Sequence, residues 1–104
     1  MPSLPGRPVR TFSPPAFESM TDALRHAACD AVLIATPDGE HVGPTLEALQ
    51  AGTHVYLEKP MAITLEDCLR IMAADTAAGG RVMVGFNLRF APLYAHLRAM
   101  MGER

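Results

Sequence analysis

Three short apolar runs punctuate the chain, at residues 31–35, 54–57 and 81–86, and between them apolar residues recur at helical spacing. Ala31-Val32-Leu33-Ile34-Ala35 is continuously apolar rather than alternating, which predicts a strand buried on both faces. His54-Val55-Tyr56-Leu57 and Arg81-Val82-Met83-Val84-Gly85-Phe86 predict two more strands. Ahead of the first, Ser19 or Thr21 caps a short helix carrying Leu24 and Ala28, with Asp30 at its end; Ser19-x-x-Asp22 resembles a capping box with Asp in place of Glu. Pro44 suits the first turn of the next helix and Gly52 the residue just past its end. Leu46, Leu49 and Gln50 give that helix its amphipathic pattern. Thr64 caps a third helix, with Asp67 three residues on. Leu65, Leu69, Met72 and Ala73 form its expected buried stripe, and Gly79-Gly80 stops it. A last helix is expected from about Pro92 to Met101.

Helices alternating with strands imply right-handed crossovers and a parallel sheet, so the expected fold class is α/β with about three strands flanked by helices. The carboxyl ends of parallel strands share one edge, where open α/β sheets bind ligands. Three polar segments fall there: Thr36-Pro37-Asp38-Gly39-Glu40-His41, Glu58-Lys59-Pro60, and Asn87-Leu88-Arg89-Phe90. Lys59 is the only lysine in the chain. Arginine keeps its proton in proteins, whereas a desolvated lysine can titrate near neutral pH. A surface lysine in a strand-to-helix loop explains Lys59 equally well when it is taken alone. The company of two other polar segments tips the reading toward a site.

Composition narrows the classes. The chain has 104 residues, enough for one small domain or a piece of a larger one, and 49% apolar residues are enough for a packed core. A net charge of −2 with no aromatic–basic interleaving argues against nucleic-acid binding. Cys29 and Cys68 fall among apolar residues in helical patterns. They read as reduced, packed thiols of a cytoplasmic protein, and no His/Cys spacing suggests a metal. The longest apolar run is too short to span a bilayer, and no apolar segment follows Arg7 and Arg10 as a secretory signal requires. Residues 1–16 hold Pro2, Pro5, Pro8, Pro14 and Pro15, which predicts a disordered tail ahead of a domain over 17–104. Tyr56 is expected in the core with its hydroxyl at an edge. Met72, Met83, Met100 and Met101 are read as packing, and His54 and His96 receive no role.

The segments Asp30 to Pro37, His41, Ala51 to Pro60 and Val84 to Phe90 together resemble the Gfo/Idh/MocA oxidoreductases, NAD(P)-dependent dehydrogenases acting mostly on sugars and cyclitols. The resemblance runs from about Phe17 to the C-terminus. It implies a partial Rossmann-like dinucleotide-binding domain without the family's first βαβ half or its C-terminal substrate domain. It further implies that Thr36 and Pro37 pack beside the nicotinamide riboside, with His41 near it. Glu58 would contact the ribose partly through its backbone, and Asn87 and Arg89 would line the cofactor or substrate side. Lys59 would be the catalytic amine between nicotinamide and a substrate hydroxyl. Read from the strand alone, Glu58 points away from Lys59, and Arg89 bridges a strand end to the last helix.

No G-x-G-x-x-G occurs anywhere in the chain, so the amide cradle for pyrophosphate is missing and only weak NAD or NADP binding is expected. The leading expectation is therefore a fragment of a nicotinamide-dependent polyol or sugar dehydrogenase, inactive alone. The alternative is a non-catalytic α/β module that forms homo-oligomers through an open strand edge. A Schiff-base enzyme using Lys59 ranks third, since no second base sits at a readable spacing.

Overall fold

The computed structural model describes residues 14–102, so the proline-rich tail lies outside the described residues except for positions 14–16. Helix α1 (Met20–His26) starts where Ser19 accepts a hydrogen bond from the Asp22 N–H at 3.1 Å. It ends earlier than expected because Ala27 is already extended (φ −108°, ψ 137°). Residues 27–30 are thus a run-in to strand β1 (Ala31–Ile34), and Cys29 is exposed on it rather than packed in a helix. Helix α2 (Val42–Gln50) follows a 3₁₀ turn at 38–40 and carries Pro44 in its first turn. Strand β2 (His54–Leu57), helix α3 (Leu65–Ala77), strand β3 (Val82–Val84) and helix α4 (Pro92–Met101) complete the order.

Both strand pairs are parallel, in the spatial order β1-β2-β3. Val32, Val55 and Val82 lie in one row across the sheet, and Ile34, Leu57 and Val84 in another. These rows face the helices. Ile34, Val55 and Leu57 meet Ala48 and Leu49 of α2 and Ile71 of α3 in the buried core. The intervening row, Leu33, Tyr56 and Met83, points to the other face. Leu33 is 67% exposed there, so β1 is covered on one face and not on two as its apolar run predicts. The reason is topological. Right-handed crossovers between successive neighbouring strands put their helices on the same side of the sheet.

The stripe of α3 also differs. Ile71 is 1% exposed, with Ala74 and Ala78 packed beside it, while Leu69 and Met72 are 53% and 55% exposed and Leu65 more so. The expected stripe is offset by two residues, about 200° around a 3.6-residue turn. The four methionines read as packing, Met72, Met83, Met100 and Met101, are all exposed.

The cap of α3 is as expected, with Thr64 Oγ1 accepting from the Asp67 N–H at 3.1 Å. At its far end Gly79 and Gly80 both take positive φ (85° and 81°), a conformation that favours glycine. Asp75 spans this turn, accepting from the N–H groups of Arg81 (2.6 Å) and Val82 (2.8 Å). The Arg81 guanidinium donates to the Gly52 carbonyl at 2.6 Å, tying the start of β3 to the turn before β2. Strand β3 is shorter than its apolar run. Gly85 N–H still bonds the Leu57 carbonyl at 2.8 Å, but Phe86 N–H turns back to Val84 and the chain leaves the sheet. Both cysteines are free, and among the described residues no helix is long and apolar enough to cross a membrane.

Candidate functional site

The carboxyl ends of all three strands emerge on one edge, in register at Ile34, Leu57 and Val84. The three polar segments therefore share a rim, as the alternation of helices and strands predicts. Beyond β2 the ladder makes one further bond, from Glu58 N–H to the Ile34 carbonyl (3.0 Å). Glu58 is half-buried and Lys59 exposed. Because that N–H is committed to the sheet, only the carbonyl and the carboxylate of Glu58 remain for a ligand.

Lys59, Asn87 and Arg89 line one concavity of about 340 Å³ together with Gly85, Phe86 and Leu88. Three candidates from two separate segments thus meet at one opening, within the size range of small-molecule sites. Thr36, Pro37, His41 and Glu58 are not among its walls. Thr36 and Pro37 are exposed just past the end of β1, and the Thr36 hydroxyl donates to the Glu40 carbonyl at 3.1 Å, closing the 3₁₀ turn. Arg89 lies over the Phe90 ring at 5.7 Å, a cation–π distance, within its own turn.

His41 is fully buried. Its Nδ1 is 2.7 Å from the Pro60 carbonyl oxygen and its Nε2 is 3.0 Å from that of Thr36. Each ring nitrogen faces a backbone carbonyl oxygen, and a neutral ring donates to only one of them. It joins the tip of β1 to the tip of β2 across the Lys59-Pro60 peptide, which is cis.

Tyr56 and Gly85 form a contact that the sequence reading did not anticipate. Tyr56 leans from β2 across Gly85, and its hydroxyl donates to Asn87 Oδ1 at 2.8 Å. A Cβ on Gly85 would stand 2.8 Å from Tyr56 Cζ. Only glycine leaves the ring room to reach Asn87 and fix the amide at the cavity wall. A glycine at a strand end is the signal that marks such close approach.

Residues 6–86 match the family model described as an oxidoreductase family with an NAD-binding Rossmann fold, Gfo/Idh/MocA. The chain belongs to this family. The match opens at residue 6, ahead of Phe17 where the motif resemblance begins. Inositol 2-dehydrogenase 1 of Saccharopolyspora erythraea is 41% identical over 78 residues, covering 74% of this chain and 23% of that protein. Inositol 2-dehydrogenase/D-chiro-inositol 3-dehydrogenase of Shouchella clausii is 46% identical over 75 residues, covering 71% and 22%. The chain therefore spans about a quarter of the length of the curated relatives it matches. Among solved structures, scyllo-inositol dehydrogenase from Lactobacillus casei with bound NAD(H) and scyllo-inositol superposes with a TM-score of 0.76 at 31% identity, over 82% of this chain and 25% of that one. The WlbA dehydrogenase of Bordetella pertussis, in complex with NADH and UDP-GlcNAcA, superposes with a TM-score of 0.68 at 42% identity, over 71% and 21%.

The residues of this cavity suit a flat ring that carries polar groups. Phe86 and Leu88 give the cavity apolar walls for a planar ring, and Lys59, Asn87 and Arg89 give it polar groups for hydroxyls and amide.

Proposed function

We propose that this chain is the nicotinamide-side portion of an NAD(P)-dependent dehydrogenase domain acting on polyols or sugars. The observation that carries this reading is the meeting of Lys59, Asn87 and Arg89 at one cavity on the carboxyl edge of a parallel sheet. Thr36 and Pro37 border the nicotinamide riboside, Glu58 receives ribose hydroxyls through its carboxylate, and Asn87 and Arg89 line the cofactor or substrate side. Lys59 is the catalytic amine, close to the substrate hydroxyl, where it stabilises or relays the proton released as the carbinol is oxidised. Such proton transfer contributes about 10²–10⁴-fold to a rate. The bound cofactor supplies the hydride acceptor. Two free thiols accord with a reducing, cytoplasmic setting.

The chain alone is expected to bind NAD(P) weakly and to turn over no polyol, since it carries no glycine-rich cradle for the pyrophosphate. Saturation-transfer NMR suits weak binding and tests the proposal directly. With the chain irradiated in excess NADH, nicotinamide protons should receive more saturation than adenine protons. The Lys59→Met and Asn87→Ala variants should reduce that transfer. Equal or adenine-dominated transfer, or none at all, would remove the proposal.

A further inference from the structure

We infer that His41 is a positioning residue for Lys59, holding the tip of β2 in place through the Pro60 carbonyl. The inference takes the role of Lys59 from the reading above, but its test does not depend on cofactor binding. The last ladder bond at this edge is Glu58 N–H to Ile34 O, and Pro60 has no N–H to extend it. Past residue 58 the backbone is instead held from beneath, by the ring of His41 at 2.7 Å from Pro60 O. The ring is itself firmly placed. It is fully buried, and its other nitrogen faces Thr36 O at 3.0 Å. The backbone of His41 opens α2, where its carbonyl accepts from both the hydroxyl (2.7 Å) and the N–H (3.2 Å) of buried Thr45. One imidazole, on the residue that opens α2, therefore lies between the end of β1 and the segment that carries Lys59. A functional side chain is held to its working geometry by such a supporting contact on rigid elements.

A carbonyl oxygen only accepts, so each contact is a hydrogen bond only while that nitrogen carries a proton. The shorter contact is at Nδ1, and the inference requires Nδ1 to be the donor to Pro60. Two substitutions separate the two contacts. Asparagine places an amide donor near the position of Nδ1, and glutamine places one near Nε2. In ¹⁵N relaxation measurements the Lys59 amide of the native chain should be ordered, with an order parameter of about 0.85, and His41→Asn should retain that order. His41→Gln and His41→Ala should drop it to below about 0.6 while the Val55 amide stays rigid. A packing role alone would affect Val55 and Lys59 together and would not distinguish Asn from Gln. Equal order at Lys59 in all four proteins, or equal loss in the Asn and Gln variants, would overturn the inference. If the variants fail to fold, the native chain still decides. A long-range ¹H–¹⁵N spectrum should show His41 Nδ1 protonated and slow to exchange, and an unprotonated Nδ1 would sink the idea.

Discussion

At position 85 the absence of a side chain decides how the cavity wall is built. The Tyr56 ring occupies the space a Cβ would need, with Cζ at 2.8 Å and Cε1 at 3.1 Å. Gly85→Ala should therefore destabilise the chain by about 1–3 kcal/mol, the usual cost of overpacking, measured as a lower urea midpoint with an unchanged slope. The collision is with ring carbons as well as the hydroxyl, so Tyr56→Phe should not rescue it, whereas Tyr56→Val should recover part of the loss in the double variant. Tyr56→Phe alone should cost no more than about 0.5–1.5 kcal/mol, because the bond to Asn87 it removes is exposed and a net hydrogen bond is worth little more. Its stronger effect should fall on Asn87, whose side-chain amide would lose its fixed partner at the cavity.

The helices test how much of a fold is written locally. Ser19, one of the two expected caps of its helix, and Thr64 cap as the sequence predicts, and β2 and α4 have the expected bounds, because caps, turns and apolar runs are local signals. The facing of α3 was not legible. Residues 65, 69 and 72 and residues 71, 74 and 78 are both helically spaced, and only the position of the sheet selects between them. Ile71→Ala should cost about 2–5 kcal/mol as a buried truncation, while Leu69→Ala and Met72→Ala should stay within about 0.5 kcal/mol. Thermal melts of the three variants separate the two orientations outright. The candidate site divides in the same way. Lys59, Asn87 and Arg89 could be grouped from the sequence because strand ends of a parallel sheet share an edge. The burial of His41 and the passage of Tyr56 over Gly85 could not, because they depend on where chain segments cross in space. Asp75 adds a turn device that the apolar pattern does not reveal, one carboxylate oxygen serving two N–H groups six and seven residues on, where β3 begins. Asp75→Ala should cost about 1.5–3 kcal/mol, the range for hydrogen bonds to a charged acceptor.

At the scale of the whole sheet, one face is covered and the other open among the described residues. Among the described residues strand β1 is an edge strand paired only with β2, and Leu33 projects from it on the open face beside Tyr56 and Met83. An unpaired edge next to exposed apolar side chains is a template for pairing with another chain. The shared cause is the run of same-sided crossovers that puts α2 and α3 over the opposite face. The 104-residue chain should accordingly self-associate as its concentration rises from about the micromolar to the millimolar range, seen as a growing weight-average mass in sedimentation velocity. Leu33→Lys places a charge on that edge strand without touching the core, since Leu33 belongs to the open row. It should keep the chain monomeric while leaving the melting temperature within a few degrees, about what a surface substitution allows. Met72→Lys is the control, because Met72 is comparably exposed but sits on a helix. If it suppresses association as well as Leu33→Lys does, the contact runs through the helical side and the open edge has no special part in it.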